Sequence, residues 1–397
     1  MLAPYRAIFA APGTKGFCTA GFLARMPNGL YAASMVTMLS ELRGSFSLAG
    51  SVMAIALISV AVVGPQVSRL VDRFGQRRVI IPTAALSVLA NVGLLLCAHF
   101  DAAAWTLFFW SALTGCTPNI GAMIRARWAA LYRDEPTTLH TAYSFESVLD
   151  ELCFIVGPIL GVSLSTAWFP EAGMLLATVL LAAGATLLAP QRSTEPPVHA
   201  LTPTIGEPAQ RSFGLWTLVV AFTAFGAGSS AIQVTTIAFA EQHGSKASAS
   251  VVLAMSALGS CAAGIVAGLV RPKRTPERRL LLALLVSGGC TLLLPLAGNL
   301  PVLSVVLFVV GVTGAPVMIC SMALVERLVP ASQLTEGFTW TNTGMVVGVA
   351  AGSSIAGWVV DHTDASTAYW VPVASGTFAL TTVALGWRWL SNPSRRS

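Results

Sequence analysis

Charge is what this 397-residue chain has least of: aspartate, glutamate, lysine and arginine make up 10% of it, against 55% hydrophobic residues. A soluble globular domain carries about a quarter of its residues charged, so a water-soluble fold is excluded. Long hydrophilic stretches are missing too, apart from one, and with them any sizeable soluble domain for signal output. The net charge of +6 is spread over short loops, which suits membrane topology and leaves no dense patch for nucleic acid. The five histidines, His99, His140, His199, His243 and His362, stand at the ends of apolar runs or between them. None is at mid-depth for a proton relay. The seven cysteines (Cys18, Cys97, Cys116, Cys153, Cys261, Cys290, Cys320) lie inside apolar runs without metal or disulfide spacing, where cysteine behaves as a small hydrophobe. No GxSxG-like pattern occurs, and no short apolar core with a small-residue cleavage site opens the chain. Neither an intramembrane enzyme, a metal, a cofactor nor a removable leader is expected.

What the chain has instead is apolar runs of 18 to 25 residues along its whole length. Each can cross about 30 Å of hydrocarbon as a helix. The dyad alternation of a barrel is absent, so an all-α membrane fold is predicted. Twelve crossings are read, over 15–40, 47–70, 79–99, 104–124, 142–167, 172–190, 213–240, 247–270, 280–298, 301–325, 337–360 and 367–387. The one long polar segment, QRSTEPPVHALTPTIGEPAQRS (191–212), predicts a flexible cytoplasmic linker between a six-helix bundle over 1–190 and another over 213–397. With both termini cytoplasmic, all but three of the 23 lysines and arginines face the cytoplasm. Arg43 and Lys246 fall outside and Arg25 falls within the membrane, the asymmetry that positive-inside topology demands. The halves also repeat. ELRGS (41–45) returns as EQHGS (241–245), SVMAIAL (51–57) faces VVLAMSA (251–257), and the TG of 114–115 returns at 313–314, which argues for a duplicated six-helix unit.

Between the second and third runs lies SRLVDRFGQRRVI (68–80). It resembles the GxLaDRxGRK signature of the major facilitator superfamily, whose twelve-span, two-bundle layout the whole chain resembles as well. Asp72, Arg73, Gly75 and Arg77 match; Ser68 replaces the first glycine and Gln76 the first late basic residue. The resemblance implies a secondary transporter working by alternating access. Asp72 would accept charge-assisted hydrogen bonds from Arg125 or Arg127 at the end of span 4, or sit at a helix N-terminus, as a gate that forms when the cytoplasmic side closes. The second-half equivalent, GLVRPKRTPERR (268–279), has Arg271 near the position of Asp72, so an acidic gate belongs to the first half. Span 5 carries FIVGPILG, whose Gly157, Pro158 and Gly161 resemble part of the helix 5 motif of drug:proton antiporters. Helix 4 departs from that subtype, with Ser111 and Thr114 before Gly115 where many antiporters carry RxxQG.

Four charges fall well inside the runs, away from their ends: Arg25 in GFLARMPNGLY (21–31), and Glu146, Asp150 and Glu151 in AYSFESVLDELCFIVGP (142–158). Glu146 and Asp150 share a helix face, and Glu151 is rotated from it by about 100°. Arg25 lies about 15 Å deep and the later acids about 12–14 Å, at comparable levels. An unpaired ion there costs at least about 3 kcal/mol, so Arg25 is expected to pair with Asp150 or Glu151, and the acid left over is the candidate proton carrier. A static pair holding two helices together is the alternative, as is a first span starting at Pro27. Asn28, Tyr31, Asn119, Gln233 and Asn342, with Trp340 as an aromatic wall, are the cavity candidates. The repeat positions of Arg25, Asp150 and Glu151 are Phe225, Met345 and Val346, which leaves the second half apolar. Such a chamber suits an amphipathic or hydrophobic solute better than a sugar. The expectation is a monomeric, multi-pass protein of a bacterial inner membrane, its partners being protons, a small-molecule substrate and lipid. It would export that solute by proton coupling, with a symporter or facilitator as the alternative and a non-transporting sensor as a remote one.

Overall fold

In a computed structural model, residues 3–197, 212–243, 248–270 and 274–391 are described. Lys246, Arg271 and most of the predicted linker, 198–211, lie outside them. The chain runs through α1 (Ala3–Ala7), α2 (Thr14–Arg43), α3 (Phe46–Phe74), α4 (Gln76–His99), α5 (Ala104–Leu113), α6 (Ile120–Leu131), α7 (Pro136–Ala167) and α8 (Ala172–Leu188). It continues through α9 (Phe213–Gln242), α10 (Ser248–Leu269), α11 (Pro276–Thr291), α12 (Leu300–Leu328), α13 (Leu334–His362), α14 (Ala365–Ala368), α15 (Trp370–Leu385) and α16 (Trp387–Ser391). Nine helices among the described residues are long and apolar enough to cross a membrane. The other three crossings are α2, whose middle carries Arg25, Pro27 and Asn28, the broken pair α5–α6, and the 17-residue α8. Together they form the two six-helix bundles. α2 starts at Thr14 and runs through Pro27, so Pro27 does not open the helix.

The fourth crossing differs from the continuous helix expected over 104–124. After α5 comes a single 3₁₀ turn, Thr114–Cys116, and Thr117 is extended at ψ 124°. Its successor Pro118 disfavours helical backbone at Thr117 and lacks an N–H of its own. Asn119 then caps α6 by accepting from the Ala122 amide at 3.1 Å. The crossing is thus two half-helices, and the N-terminus of the second lies inside the bundle. Gly75 makes the opposite kind of junction: it alone separates α3 from α4, at φ 89°. Only glycine adopts that backbone without strain, which explains its place in the signature.

Side chains pack into one large core on the side where residues 191 and 213 lie, the linker side. It joins Phe17, Ile124 and Trp128 of the first half to Leu218, Val325 and Phe338 of the second. On the far side the core splits. Met35, Leu39, Val52 and Met174 form one cluster within the first half, and Phe239, Val252, Leu303 and Tyr369 form another within the second. A shared core holds surfaces together by apolar burial, and separate cores do not. The bundles are therefore joined on the linker side and parted on the other.

Candidate functional site

The membrane charges converge on α2, α6 and α7. Arg25 Nη1 lies 2.6 Å from Glu146 Oε2 and donates to Asp150 Oδ1 at 3.0 Å. Asp150 Oδ2 accepts in turn from Arg125 Nη2, and the Trp128 indole donates to Glu146 Oε1 at 2.8 Å. Arg25 and Glu146 are fully buried, whereas the Asp150 side chain keeps 26% of its exposure. Two arginines and two carboxylates make a neutral set, the condition under which buried ions are tolerated. Gly121 leaves room for it: a Cβ there would lie 3.1 Å from Arg125 Nη1 and 3.6 Å from Arg25 Cδ.

Glu151 does not take part. Of the two acids expected for Arg25, Asp150 or Glu151, it meets Asp150, and Glu146 joins them because residues 146 and 150 share the face toward α2, while 151 is turned away. Glu151 instead meets the Ser260 hydroxyl on α10, across the boundary between the halves. Sequence reasoning missed Trp128 and Gly121, and Arg125 as a partner of Asp150. Their signal was IGAMIRARW (120–128), a polar-flanked helix start inside a predicted crossing.

The helix 5 glycines serve close packing. A Cβ on Gly157 would meet Gly29 C at 2.5 Å and Leu30 N at 2.8 Å, and one on Gly161 would meet the Ser34 hydroxyl. The backbones of α2 and α7 therefore touch, with the half-buried Pro158 between these glycines. The second half repeats the device without charge. Gly348 and Gly352 of α13 pack on Thr223 and Ala227 of α9, and Phe225 and Met345 join the core.

At the linker side Asp72 receives neither Arg125 nor Arg127. Its oxygens accept the amides of Thr335 at 3.2 Å and Glu336 at 2.8 Å, at the start of α13. An acid at a helix N-terminus answers unpaired amides and the helix dipole together. Arg125 is held at Asp150, and Arg127, buried, donates to Gln76 Oε1 at 2.7 Å, Gln191 O at 2.9 Å and Thr194 Oγ1 at 2.8 Å. The departures from the signature thus have roles. Gln76 receives Arg127, and Ser68 pairs with Thr339 of the other half at 2.7 Å. Arg69, outside the expected set, donates to Glu336 Oε1 at 2.7 Å. Arg73 lies beside the Phe74 ring, and the Arg77 amide donates to Glu195 at 2.9 Å. Further ties between the halves run from Tyr5 to Ile265 O at 2.9 Å, from Thr141 to Gly268 O at 3.0 Å, and between Arg279 and His140 at 2.5 Å.

Asn28, Gln233 and Asn342 are exposed, and Tyr31 lies half-buried against Thr114. Asn119 is spent as a helix cap. Trp340 donates to Glu336 at 3.1 Å and stands 5.4 Å from the Trp216 ring, near the linker-side helix ends.

Helices without strands among the described residues, two bundles, a signature turn at a one-residue junction and a charge cluster inside the first bundle define a polytopic membrane transporter. The sequence matches the Major Facilitator Superfamily over residues 17–300 and 218–397, and the chain belongs to that superfamily. No curated protein matches the sequence. Among solved structures it is similar to the human organic anion transporter MFSD10 (TETRAN), with 17% identity, 94% of this chain and 100% of that one covered, and a TM-score of 0.72. It is also similar to a bacterial homologue of the iron transporter ferroportin in an outward-facing state (16%, 96% and 100%, TM-score 0.77). A third is the transporter FucP in its outward conformation (13%, 94% and 98%, TM-score 0.73). At these identities the likeness is one of fold. The protein is a secondary transporter that spans the membrane many times.

Proposed function

We propose that the protein couples the movement of protons to that of a small amphipathic or hydrophobic solute, with Asp150 as the proton-carrying group and export from the cytoplasm of a bacterium as the direction. The linker side is then the cytoplasmic side of the inner membrane. The observation that carries this reading is the Arg25–Asp150–Arg125 arrangement. Asp150 is bridged by two arginines from different helices, and motion that draws them away leaves its carboxyl without a counter-charge, so that a proton takes their place. Glu151 faces Ser260 of α10, a neighbour whose charge does not change, which makes it the weaker carrier. The apolar second half, with Phe225 and Met345 where the first has Arg25 and Asp150, supports a solute with little hydrogen-bonding demand. Linker-side ties on Asp72 and Arg69 would hold one state of the alternating cycle. Uptake by symport is a second reading, since the same exchange at Asp150 serves either direction of solute movement.

The test uses protein in liposomes with an internal pH dye. A transported solute should dissipate an imposed proton gradient, and Asp150→Asn should abolish the response while Glu151→Gln keeps it. Transport through Asp150→Asn with unchanged pH dependence would refute the coupling role.

A further inference from the structure

We propose that the N-terminus of α6, with Arg25 and Arg125 over it, seats a carboxylate of the transported solute. This rests on the reading above and adds the solute's chemistry. Arg25 is 1% exposed and spends Nη1 on both acids, yet its Nε and Nη2 have no partner. A buried guanidinium with N–H groups unmet is set to receive an acceptor. Both arginine side chains lie directly against Gly121, where a Cβ would stand 3.1 Å from Arg125 Nη1, 3.6 Å from Arg25 Cδ and 3.7 Å from Asn119 Oδ1. Gly121 is the second residue of the 12-residue α6. Asn119 caps only Ala122, and the amides of Ile120 and Gly121 have no acceptor inside the helix. The break at Pro118 thus brings a positive helix end to the two guanidiniums.

Asp150 already shows how a carboxylate lies there, one oxygen toward Arg25 and the other toward Arg125, the bridging that favours carboxylate over other acceptors. With Asp150 protonated, Arg25, Arg125 and Glu146 leave one net positive charge, and a monoanionic solute restores neutrality. Proton and anion then load together, which makes the exchange at Asp150 one of symport, the second reading above. A cationic solute gains nothing, because both acids of the cluster are held by arginine.

The test compares 1-naphthoate, 1-naphthylmethylamine and 1-naphthylmethanol, alike in ring and different in charge, for binding to the purified full chain by quenching of tryptophan fluorescence. At pH 5 naphthoate should bind about tenfold tighter than the other two, and should weaken as pH rises to 8. Asp150→Asn, which frees the arginines at every pH, should keep the tight binding and flatten its pH dependence. Arg125→Gln should cut naphthoate affinity about tenfold and spare the alcohol, whose binding also reports a folded protein. No preference for the carboxylate in either wild type or Asp150→Asn overturns the anion site. A preference that survives Asp150→Asn with its pH dependence intact upholds the site and overturns Asp150 as the proton carrier.

Discussion

Replacing Asp72 by Asn separates a gate from a mere structural contact. The carboxylate accepts two amides at the start of α13, from Thr335 at 3.2 Å and Glu336 at 2.8 Å. Asn keeps one acceptor oxygen, loses the second bond and removes the negative charge facing the helix N-terminus. A hydrogen bond to a charged group contributes about 1.5–3 kcal/mol and the dipole term up to about 1 kcal/mol at a part-exposed site. Allowing for the retained bond, the linker-side-closed state should lose about 1.5–3 kcal/mol, a factor of roughly ten to a hundred in the ratio of the two states. The bonds join α3 to α13, in different bundles, so they exist only while that side is closed. Spin labels at Thr137 and Thr275, exposed on facing linker-side ends of α7 and α11, would report the change as a longer-distance population by double electron–electron resonance in a cysteine-depleted background. Arg69→Gln, which loses the 2.7 Å contact with Glu336, should act in the same direction. Unchanged distances in both variants would refute the idea that these contacts bias the cycle.

Arg25→Met leaves Glu146 buried without its cation and should lower stability by about 3–5 kcal/mol, read as a fall in thermal unfolding temperature in detergent; adding Glu146→Gln should recover part of the loss. Gly157→Ala forces a Cβ to within 2.5–2.8 Å of the Gly29 and Leu30 backbone and should cost about 1–3 kcal/mol by overpacking. The same substitution at Gly288, where nothing lies within 4 Å, should be close to neutral in that assay.

Much of this was legible in one dimension for definite physical reasons. Apolar run length and the basic-residue asymmetry give the crossings because lipid satisfies no backbone group and each crossing must be a long helix. The helix period brings Glu146 and Asp150 to one face, and that alone made a pairing with Arg25 foreseeable. Choosing between Asp150 and Glu151 needed the azimuth of α7 against α2, which the close approach of Gly29 and Gly157 sets. The break at Thr117–Pro118 was written in the sequence but masked by the hydrophobicity around it. Hydropathy averages over a window, whereas a missing N–H acts at one residue.

The sequence by itself determined the class of fold, the number of crossings, the duplication and the confinement of the membrane charges to the first half. These follow from local composition and period. Tertiary structure decided which charges meet. Arg125 goes to Asp150 and Arg127 to Gln76 because the broken fourth crossing turns α6 so that residues two apart face different neighbours. Asp72 finds a helix end in the other bundle, 263 residues along the chain at Thr335, a contact that depends on which side of the molecule is closed and that no local pattern encodes.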